Sequence, residues 1–365
     1  MPRAPGKFTF GAQFLFPTMQ VGRIEVVVGP MFAGKTTEML RRIDRAELGR
    51  KRCVVMKYDK DQRYSTDKVS THDHYMHDAI PCNELMSHFN ECLAYETIGI
   101  DEGQFFPDVV EFSEKLADYG KTVIVAALDG TFQRKPFGRV LELMAKCESL
   151  TKLTAVCCKT GGDAAFSKRT VNSDSIELIG GAESYTAASR SAFFGTNTSG
   201  EIHLTVGPVK CGKTTELLRV LNRYVIAGRK VVCIRPEDIV DHHNPKFEMK
   251  LVKDLPDVAS LSEYDIIGID EAQKFENIAD WADELANSGK IVMVSAVDGD
   301  EQHHAYPGII ELFPRCEKVM KLDSVCPLTG LPAPFSAVVN GIRLIPISRL
   351  GIMYQQSLGL ATAAH

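Results

Sequence analysis

The sequence lacks an apolar run approaching the roughly 18 residues needed to cross a bilayer. It also lacks a strong charge of either sign, because 42 Lys and Arg residues against 47 Asp and Glu residues give a formal net charge of −5. We therefore expect no membrane span and no nucleic-acid or membrane-surface partner. There is no secretory signal, and the ten cysteines are scattered, mostly within apolar strand-like runs. This pattern predicts buried free thiols in a reducing compartment and a cytoplasmic protein.

Acidic residues are absent from the first 24 positions, which contain three basic residues. A mitochondrial presequence would have this charge, but it would also contain serine and form an amphipathic helix, which three prolines interrupt. We interpret residues 1–19 as an N-terminal tail and residues 359–365 as a C-terminal tail. The 365 residues suffice for about two domains, each with its own core.

An internal repeat dominates the rest of the chain. GPMFAGKTTEML at 29–40 recurs as GPVKCGKTTELL at 207–218, 178 positions later (207 − 29). GIDEGQFF, AALDG and KLTAVC recur as GIDEAQKF, SAVDG and KLDSVC, 169 positions later (270 − 101), and Tyr354 matches Tyr185 at that offset. The second copy has therefore lost nine residues after its Gly-rich loop. We predict two tandem domains, a first copy at 20–195 and a second copy at 196–358, joined by the linker FFGTNTSGE at 193–201.

Each copy begins in the order strand, loop, helix, strand. IEVVVG is a continuous apolar run, as in a buried parallel strand, and TTEMLRRIDRAELG has helical spacing. CVVMKY, TIGID and TVIVAAL are further short strands rich in β-branched residues. The pattern predicts an α/β fold with two doubly wound parallel sheets, and a ligand site at the carboxyl ends of the strands.

GPMFAGKT matches the P-loop pattern G-x-x-x-x-G-K-[ST] between a strand and a helix, where backbone N–H groups bind phosphates. The lysine would reach the β- and γ-phosphates of ATP, and the first threonine would bind Mg²⁺. The predicted phosphate-binding residues are Gly29, Pro30, Met31, Phe32, Ala33, Gly34, Lys35, Thr36 and Thr37. Their counterparts in the second copy include Gly207, Gly212, Lys213 and Thr214.

Two adjacent carboxylates follow the strand TIGI. Asp101 is placed to hold Mg²⁺ together with Thr36, and Glu102 is then available as a base towards a substrate hydroxyl. Asp270 and Glu271 repeat the pair in the second copy. The pair alone does not distinguish a kinase from an ATPase that activates water.

These motifs, together with MKYDKDQRYS, THD at 71–73, DGTFQRKPFG and IGGAESY, closely resemble the type II thymidine kinases of animals, bacteria and poxviruses. The resemblance covers nearly all of 20–195 and is weaker in the second copy. It implies ATP- and Mg²⁺-dependent phosphorylation of the 5′-hydroxyl of thymidine to dTMP, a nucleotide-salvage reaction, with Glu102 as the catalytic base. It also implies a set of thymidine-binding residues: Met31, Phe105, Leu128, Phe132, Phe137, Ser167, Ile176, Leu178, Gly180 and Tyr185.

The first copy departs from the family at its lid, which zinc usually holds through two Cys-x-x-Cys pairs. In the first pair Cys157 keeps one cysteine position, but Thr160 occupies the other. AASRS at 187–191 replaces the second pair and contains no cysteine. The second copy has Cys326 alone in VCPLTG. Structural zinc requires four such ligands, so we predict no zinc in either copy. His74 also stands where the family has arginine, which predicts a weaker phosphate contact.

The second copy departs further, and we predict that it is degenerate for thymidine but still able to bind ATP. The nine missing residues remove the equivalent of YSTDKVSTHD, and IPISRLGIMY lacks the two glycines of IGGAESY. Charged groups in an apolar base pocket are costly unless paired. The replacements are Glu301 for Phe132, His303 for Arg134, Lys274 for Phe105 and Val209 for Met31.

Three alternatives remain from the sequence. A zinc-free lid would suit a kinase of relaxed specificity that also accepts deoxyuridine. A nucleotide-binding regulatory protein would have no turnover, and an ATPase would leave DGTFQRKPFG and IGGAESY without a purpose. The resemblance further implies self-association, since family members form tetramers, and two tandem chains would form a pseudo-tetramer.

Overall fold

The computed structural model describes residues 21–60, 68–70, 76–171, 183–197, 200–238, 245–339 and 343–357; both predicted tails lie outside them. The strands of the first copy are β1 Arg23–Gly29, β2 Cys53–Tyr58, β3 Lys68–Ser70, β4 Met76–Asp78, β5 Ile80–Cys82, β6 Thr97–Ile100, β7 Thr122–Leu128, β8 Ser149–Lys152, β9 Ala155–Val156, β10 Asp163–Ala164, β11 Phe166–Arg169 and β12 Tyr185–Ala188. Its helices are α1 Lys35–Leu48, α2 Phe89–Cys92, α3 Val109–Asp118 and α4 Arg190–Phe194.

The first copy is built on a six-stranded parallel sheet in the order β5-β2-β6-β7-β1-β8. Helix α1 lies on one face, where Met39, Leu40 and Ile43 pack against Val55 and Ile124. Helix α3 lies on the other face, within the main core cluster. Strands covered on both faces are buried throughout, which is why they read as continuous apolar runs. The predicted parallel α/β sheet is confirmed.

The second copy repeats this architecture, with a six-stranded parallel sheet in the order β15-β14-β16-β17-β13-β18. Its strands are β13 Glu201–Gly207, β14 Val231–Pro236, β15 Glu248–Val252, β16 Ile266–Ile269, β17 Ile291–Val297, β18 Lys318–Lys321, β19 Ser324–Val325, β20 Pro332–Ala333, β21 Phe335–Val339 and β22 Arg343–Ile347. Its helices are α5 Lys213–Ile226, α6 Ile278–Asn287, α7 Pro307–Leu312 and α8 Arg349–Ser357.

Most of the predicted deletion falls between two paired strands. Met56 pairs with Ile80 in the first copy, 24 positions on (80 − 56). Ile234 pairs with Lys250 in the second copy, only 16 positions on (250 − 234). Eight of the nine missing residues are therefore lost there. In the first copy this stretch holds the β3–β4 hairpin, whereas THD and His74 lie outside the described residues.

The match of Tyr185 with Tyr354 is wrong. Phe166 pairs with Ala188 in the first copy, and Phe335 pairs with Ile347 in the second. The offset has therefore fallen to 159 by this point (347 − 188), and Tyr354 lies inside helix α8. Residues 170–184 connect β11 to β12, whereas only residues 340–342 connect β21 to β22. The second copy has lost the lid connection itself, and IPISRLGIMY is the end of β22 followed by α8.

The predicted linker is shorter than expected, because its first two residues belong to helix α4. The hydroxyl of Ser189 caps this helix by accepting from the Ala192 N–H, and Gly195 ends it in the left-handed conformation. The rings of Phe193 and Phe194 meet edge to face with centroids 5.2 Å apart. Within the described ranges, no helix is long and apolar enough to cross a membrane.

Candidate active site

The Gly-rich loop of the first copy joins β1 to the start of α1. Gly29 has φ +152°, and a side chain there would lie 2.5 Å from the Leu153 carbonyl oxygen, so the position requires glycine. Lys35 Nζ donates to the Pro30 carbonyl at 2.8 Å, across the loop. The backbone N–H groups at the beginning of α1 and this ammonium group create a site suited to an anion.

The carboxylates after β6 meet this loop. Thr36 Oγ1 donates to Asp101 Oδ1 at 3.1 Å, so the hydroxyl and the carboxylate that we expect to share Mg²⁺ are adjacent. Both are hard oxygen donors, which Mg²⁺ prefers, and they fit a metal held by a few protein oxygens and substrate phosphates. Glu102 follows with φ 55°, a left-handed conformation that is uncommon for a residue with a side chain.

Gln104 is a site residue that the sequence did not identify. It is 3% exposed, its Nε2 donates to Glu102 Oε2 at 2.6 Å, and its Oε1 accepts from the Leu128 N–H at 2.9 Å. The amide therefore joins the predicted base to the end of β7. Gly138, with φ +60°, lies against the backbone of Gln104, where a Cβ would be 2.2 Å from its carbonyl oxygen. The only signal in the sequence is that GIDEAQKF repeats this glutamine.

Replacing Gln104 with leucine is expected to lower kcat about tenfold, because the Leu128 N–H loses its buried partner and Glu102 loses its positioning donor. Steady-state thymidine phosphorylation measures the loss. Gln273→Leu is the matched control, since Gln273 makes the same two contacts, to Glu271 at 2.5 Å and from the Val297 N–H at 3.0 Å. Equal losses in both variants would contradict the assignment of catalysis to the first copy.

Two of the predicted aromatic residues, Phe105 and Phe137, form a partly exposed cluster with Tyr58. Phe105 stacks on Tyr58 with centroids 4.8 Å apart and meets Phe137 edge-on at 5.4 Å. Phe106, by contrast, is 1% exposed and belongs to the core. Phe105, Phe132 and Phe137 are only partly buried, as expected for residues that line a cleft. Tyr58 is a member of this cluster that the sequence analysis did not assign.

A second group of predicted residues surrounds β11. Ser167 Oγ accepts from the Met31 N–H at 2.9 Å and so joins β11 to the Gly-rich loop. The guanidinium of Arg169 lies 3.8 Å from the Phe132 ring centroid and donates to Tyr185 Oη at 2.7 Å. The structure thus brings Phe132 and Tyr185 together through Arg169. Ile176, Leu178 and Gly180 lie outside the described residues.

The segments that zinc joins in the family meet in the structure, through Cys157 and Thr160 on one side and, on the other, Ser189 and Ala192, the latter one residue beyond the predicted 187–191. Thr160 Oγ1 lies 3.4 Å from Ser189 Oγ, and Ala192 packs in one cluster with Cys157. Burial alone would raise the pKa of Cys157, but hydrogen bonds from Ser189 and Thr160 outweigh it and lower this pKa to about 6. The second copy repeats the arrangement, with Thr329 Oγ1 2.9 Å from Ser348 Oγ. Hydrogen bonds thus join the segments that zinc joins in the family.

Because these positions converge, the variant Thr160→Cys/Ser189→Cys/Ala192→Cys is expected to bind one zinc ion per chain with Cys157 as the fourth thiolate. Cobalt substitution, which gives tetrahedral thiolate sites a characteristic absorption, measures it. The unmodified chain is the control and is expected to bind no stoichiometric zinc. Failure of the variant to bind zinc tightly would show that the four positions are not arranged as a tetrahedron.

The second copy retains the geometry of its loop and acids. Thr214 Oγ1 donates to Asp270 Oδ2 at 2.9 Å, and Lys213 Nζ donates to the Pro208 carbonyl at 2.7 Å. Asp270 also accepts from Arg235 at 2.7 Å, and both side chains are buried. Asp270, the carboxylate expected to hold Mg²⁺ in the second copy, is therefore already paired with the Arg235 guanidinium.

The substituted base pocket of the second copy avoids a buried charge. Lys274 is partly exposed and pairs with Asp238 at 2.7 Å, and Glu301 is exposed. His303 Nε2 lies 3.1 Å from the Ser336 carbonyl oxygen, and its burial lowers the pKa of this imidazole to about 4. The charged replacements are therefore stable where they lie, and none of them restores an apolar wall.

Fold and site together define an α/β protein with a phosphate-binding sequence pattern and an acidic pair at the carboxyl end of each parallel sheet. A model of the thymidine kinase family matches residues 22–193 and 200–345. The chain belongs to the thymidine kinase family, as the sequence predicted, and this family consists of enzymes.

Similar proteins match about half of the chain. It is 54% identical to "Thymidine kinase 1" of Dictyostelium discoideum over 48% of this chain and 79% of that protein. It is 50% identical to human "Thymidine kinase, cytosolic" over 49% of this chain and 76% of that protein. It is 47% identical to "Thymidine kinase" of vaccinia virus strain Ankara over 49% of this chain and all of that protein. One relative corresponds to one half of this chain, which accords with two tandem units.

Proposed function

We propose that the first copy, residues 20–195, transfers the γ-phosphate of ATP to the 5′-hydroxyl of thymidine and forms dTMP and ADP. The contact that supports this most directly is that of the buried Gln104 amide, whose Nε2 donates to Glu102 Oε2 at 2.6 Å. Phe105, the next residue, belongs to a partly exposed aromatic cluster with Tyr58 and Phe137, and a base fixed beside such a cluster suits a nucleoside hydroxyl. In an ATPase the base activates water, which does not require aromatic residues around it.

In this reaction the 5′-oxygen forms a bond to Pγ while the bond from Pγ to the β–γ bridging oxygen breaks. Glu102 takes the proton from the 5′-hydroxyl, and ADP leaves with the bridging oxygen. Lys35 and the backbone N–H groups of residues 32–37 bind the phosphates. Thr36 and Asp101 would hold Mg²⁺, which offsets the negative charge of the triphosphate.

We assign no thymidine phosphorylation to the second copy, residues 196–358. Its β21–β22 connection is residues 340–342 alone, so it has no counterpart of the lid positions that follow β11. Nucleotide binding without phosphoryl transfer is the activity that its retained Lys213 and Thr214 still support.

The chain is proposed to work in the cytoplasm and to self-associate, with two chains forming a four-copy assembly. The human relative's name supports the first statement, and the family resemblance supports the second. Mass measurement in solution is expected to give twice 40.3 kDa. A mass of a single chain would contradict the four-copy assembly and leave the proposed reaction standing.

The proposed reaction is tested by incubating the full chain with labelled thymidine, ATP and Mg²⁺ and measuring dTMP. Parallel reactions with deoxyuridine, and with ATP and no nucleoside, distinguish a kinase of relaxed specificity and an ATPase. We expect dTMP in preference to dUMP, and little ADP without nucleoside. ADP release at the same rate without nucleoside would identify an ATPase instead.

A further inference from the structure

The two copies pack against each other through equivalent surfaces. Strands β8 and β18 lie against each other. Lys152 Nζ donates to the Phe313 carbonyl at 3.2 Å, and Lys321 Nζ donates to the Met144 carbonyl at 2.8 Å. These residues are related by the repeat offset of 169 (321 − 152), so the two halves of the chain resemble the two subunits of a C₂ dimer.

The lid helices repeat the same symmetry. Arg190, at the start of α4, donates through Nε to Glu317 of the second copy at 2.8 Å. Arg349, at the start of α8, donates through Nε to Glu148 of the first copy at 2.6 Å. Both arginines are more than 90% buried. Each copy thus anchors the other's lid helix through an equivalent ion pair.

One contact has no symmetric counterpart. Arg134 Nη1 and Nη2 donate to the two carboxylate oxygens of Asp283, both at 2.7 Å, and Arg190 Nη1 donates to Asp283 as well at 2.5 Å. Burial alone would raise the pKa of Asp283, but the two arginines outweigh it and lower this pKa. Such a two-pronged pair fixes distance and orientation together.

The side-chain hydrogen bonds of the residues at the equivalent positions stay within their own copies. His303, the counterpart of Arg134, contacts the Ser336 carbonyl oxygen of the second copy. Glu114, the counterpart of Asp283 (283 − 169), accepts from Lys146 of the first copy at 2.8 Å. The second copy therefore holds a loop of the first copy by a charged pair, whereas His303 in the corresponding loop of the second copy forms no such pair with the first copy.

The loop held in this way is residues 130–136, which precedes Phe137 and contains Phe132. It closes on itself, with the Arg134 N–H donating to the Thr131 carbonyl at 2.9 Å and the Thr131 N–H donating to the Lys135 carbonyl at 2.8 Å. Arg134 has φ 59°, a strained conformation for a residue with a side chain, which persists only where surrounding contacts impose it. His303, its counterpart, has φ 63° as well, so the turn of the loop imposes this conformation in both copies, and the Asp283 pair additionally fixes the position of the Arg134 guanidinium.

Arg134 also connects this loop to strand β11. Its guanidinium lies 5.4 Å from the Phe166 ring centroid and 4.5 Å from that of Phe194. Ser167, next to Phe166, accepts from the Met31 N–H. A displacement of Arg134 is therefore expected to disturb two walls of the predicted thymidine site, the loop itself and β11.

We propose that Asp283 is a positioning residue for thymidine binding, by which the second copy fixes residues 130–136 of the first copy through Arg134. The inference rests on the proposed function of the first copy. It gives the degenerate copy a task that does not require a nucleotide site of its own. That task explains why the Arg134–Asp283 pair, which the repeat does not duplicate, is buried in the interface.

Asp283→Ala is expected to raise KM for thymidine about tenfold with kcat within about twofold. Residues 130–136 wall the base rather than the reacting oxygen, and small misplacements of binding groups cost up to about 100-fold. KM for ATP should not change, and Asp283→Glu should restore part of the thymidine affinity. Arg349→Ala is the matched control, because it breaks the same interface on the side of the second copy.

Amide hydrogen exchange of residues 130–137 gives a readout independent of activity. Exchange there is expected to rise in Asp283→Ala and to stay unchanged in Arg349→Ala. If both variants show the same KM and the same exchange in this segment, the inference is overturned. If Asp283→Ala does not fold, Asp283→Asn, which keeps one acceptor oxygen, carries the same comparison. A chain that forms no dTMP would overturn the proposed function, while the exchange result would still test the inference.

Discussion

Glu102→Gln is expected to lower kcat for thymidine phosphorylation about 10²–10⁴-fold, the usual cost of losing a positioned general base. The amide keeps the size of the side chain and can still meet Gln104, so folding and ATP binding should be retained. Glu271→Gln is the matched variant, since Glu271 has the same left-handed backbone at φ 53° and the same contact from its glutamine. It is expected to leave kcat within about twofold.

Steady-state kinetics with thymidine and ATP measure both variants under the same conditions. A large loss in Glu271→Gln with full activity in Glu102→Gln would reverse the assignment of the two copies. The altered pocket of the second copy, with Lys274 and Glu301, would then define a different specificity.

Arg190→Met is expected to destabilise the chain by about 3–5 kcal/mol, the cost of removing one partner from a buried ion pair. Arg190 is 3% exposed. It donates to Asp283, to Glu317 and to the Arg315 carbonyl, all in the second copy. Methionine preserves the volume and leaves two carboxylates without this partner. Denaturant unfolding, followed by the shift in midpoint, measures the effect.

The control for Arg190→Met is Arg219→Met. Arg219 pairs with Glu216 at 2.6 Å on the exposed face of α5, where an ion pair contributes little. No measurable shift in the midpoint is expected. A shift as small for Arg190→Met would show that the stability of the interface between the copies does not depend on this arginine.

Much of the fold was predictable because buried parallel strands are short apolar runs. IEVVVG, CVVMKY, TIGID and TVIVAAL each mark a strand to within one residue of its observed bounds. The repeat predicted the strands of the second sheet in the same way. The Gly-rich loop and the Asp-Glu pair could be placed at one edge because carboxyl ends of parallel strands converge.

The errors and omissions have physical causes. Tyr354 lies at the constant offset from Tyr185 by coincidence, because the second copy has lost ten positions before this point (169 − 159). A single matching tyrosine is weak evidence of equivalence. The sequence did not indicate Gln104 because a single buried amide follows no periodic pattern. The Arg134–Asp283 pair joins residues 149 positions apart that are not equivalent in the repeat, so neither spacing nor resemblance indicates it.

The stoichiometry of thymidine binding tests the central claim, that one copy binds the nucleoside and the other supports it. Calorimetric titration of the full chain with thymidine is expected to give one site per chain. That site should weaken in Asp283→Ala and persist in Glu102→Gln. Two equivalent thymidine sites per chain would contradict the account, because the second copy would then bind nucleoside without the lid connection that it has lost.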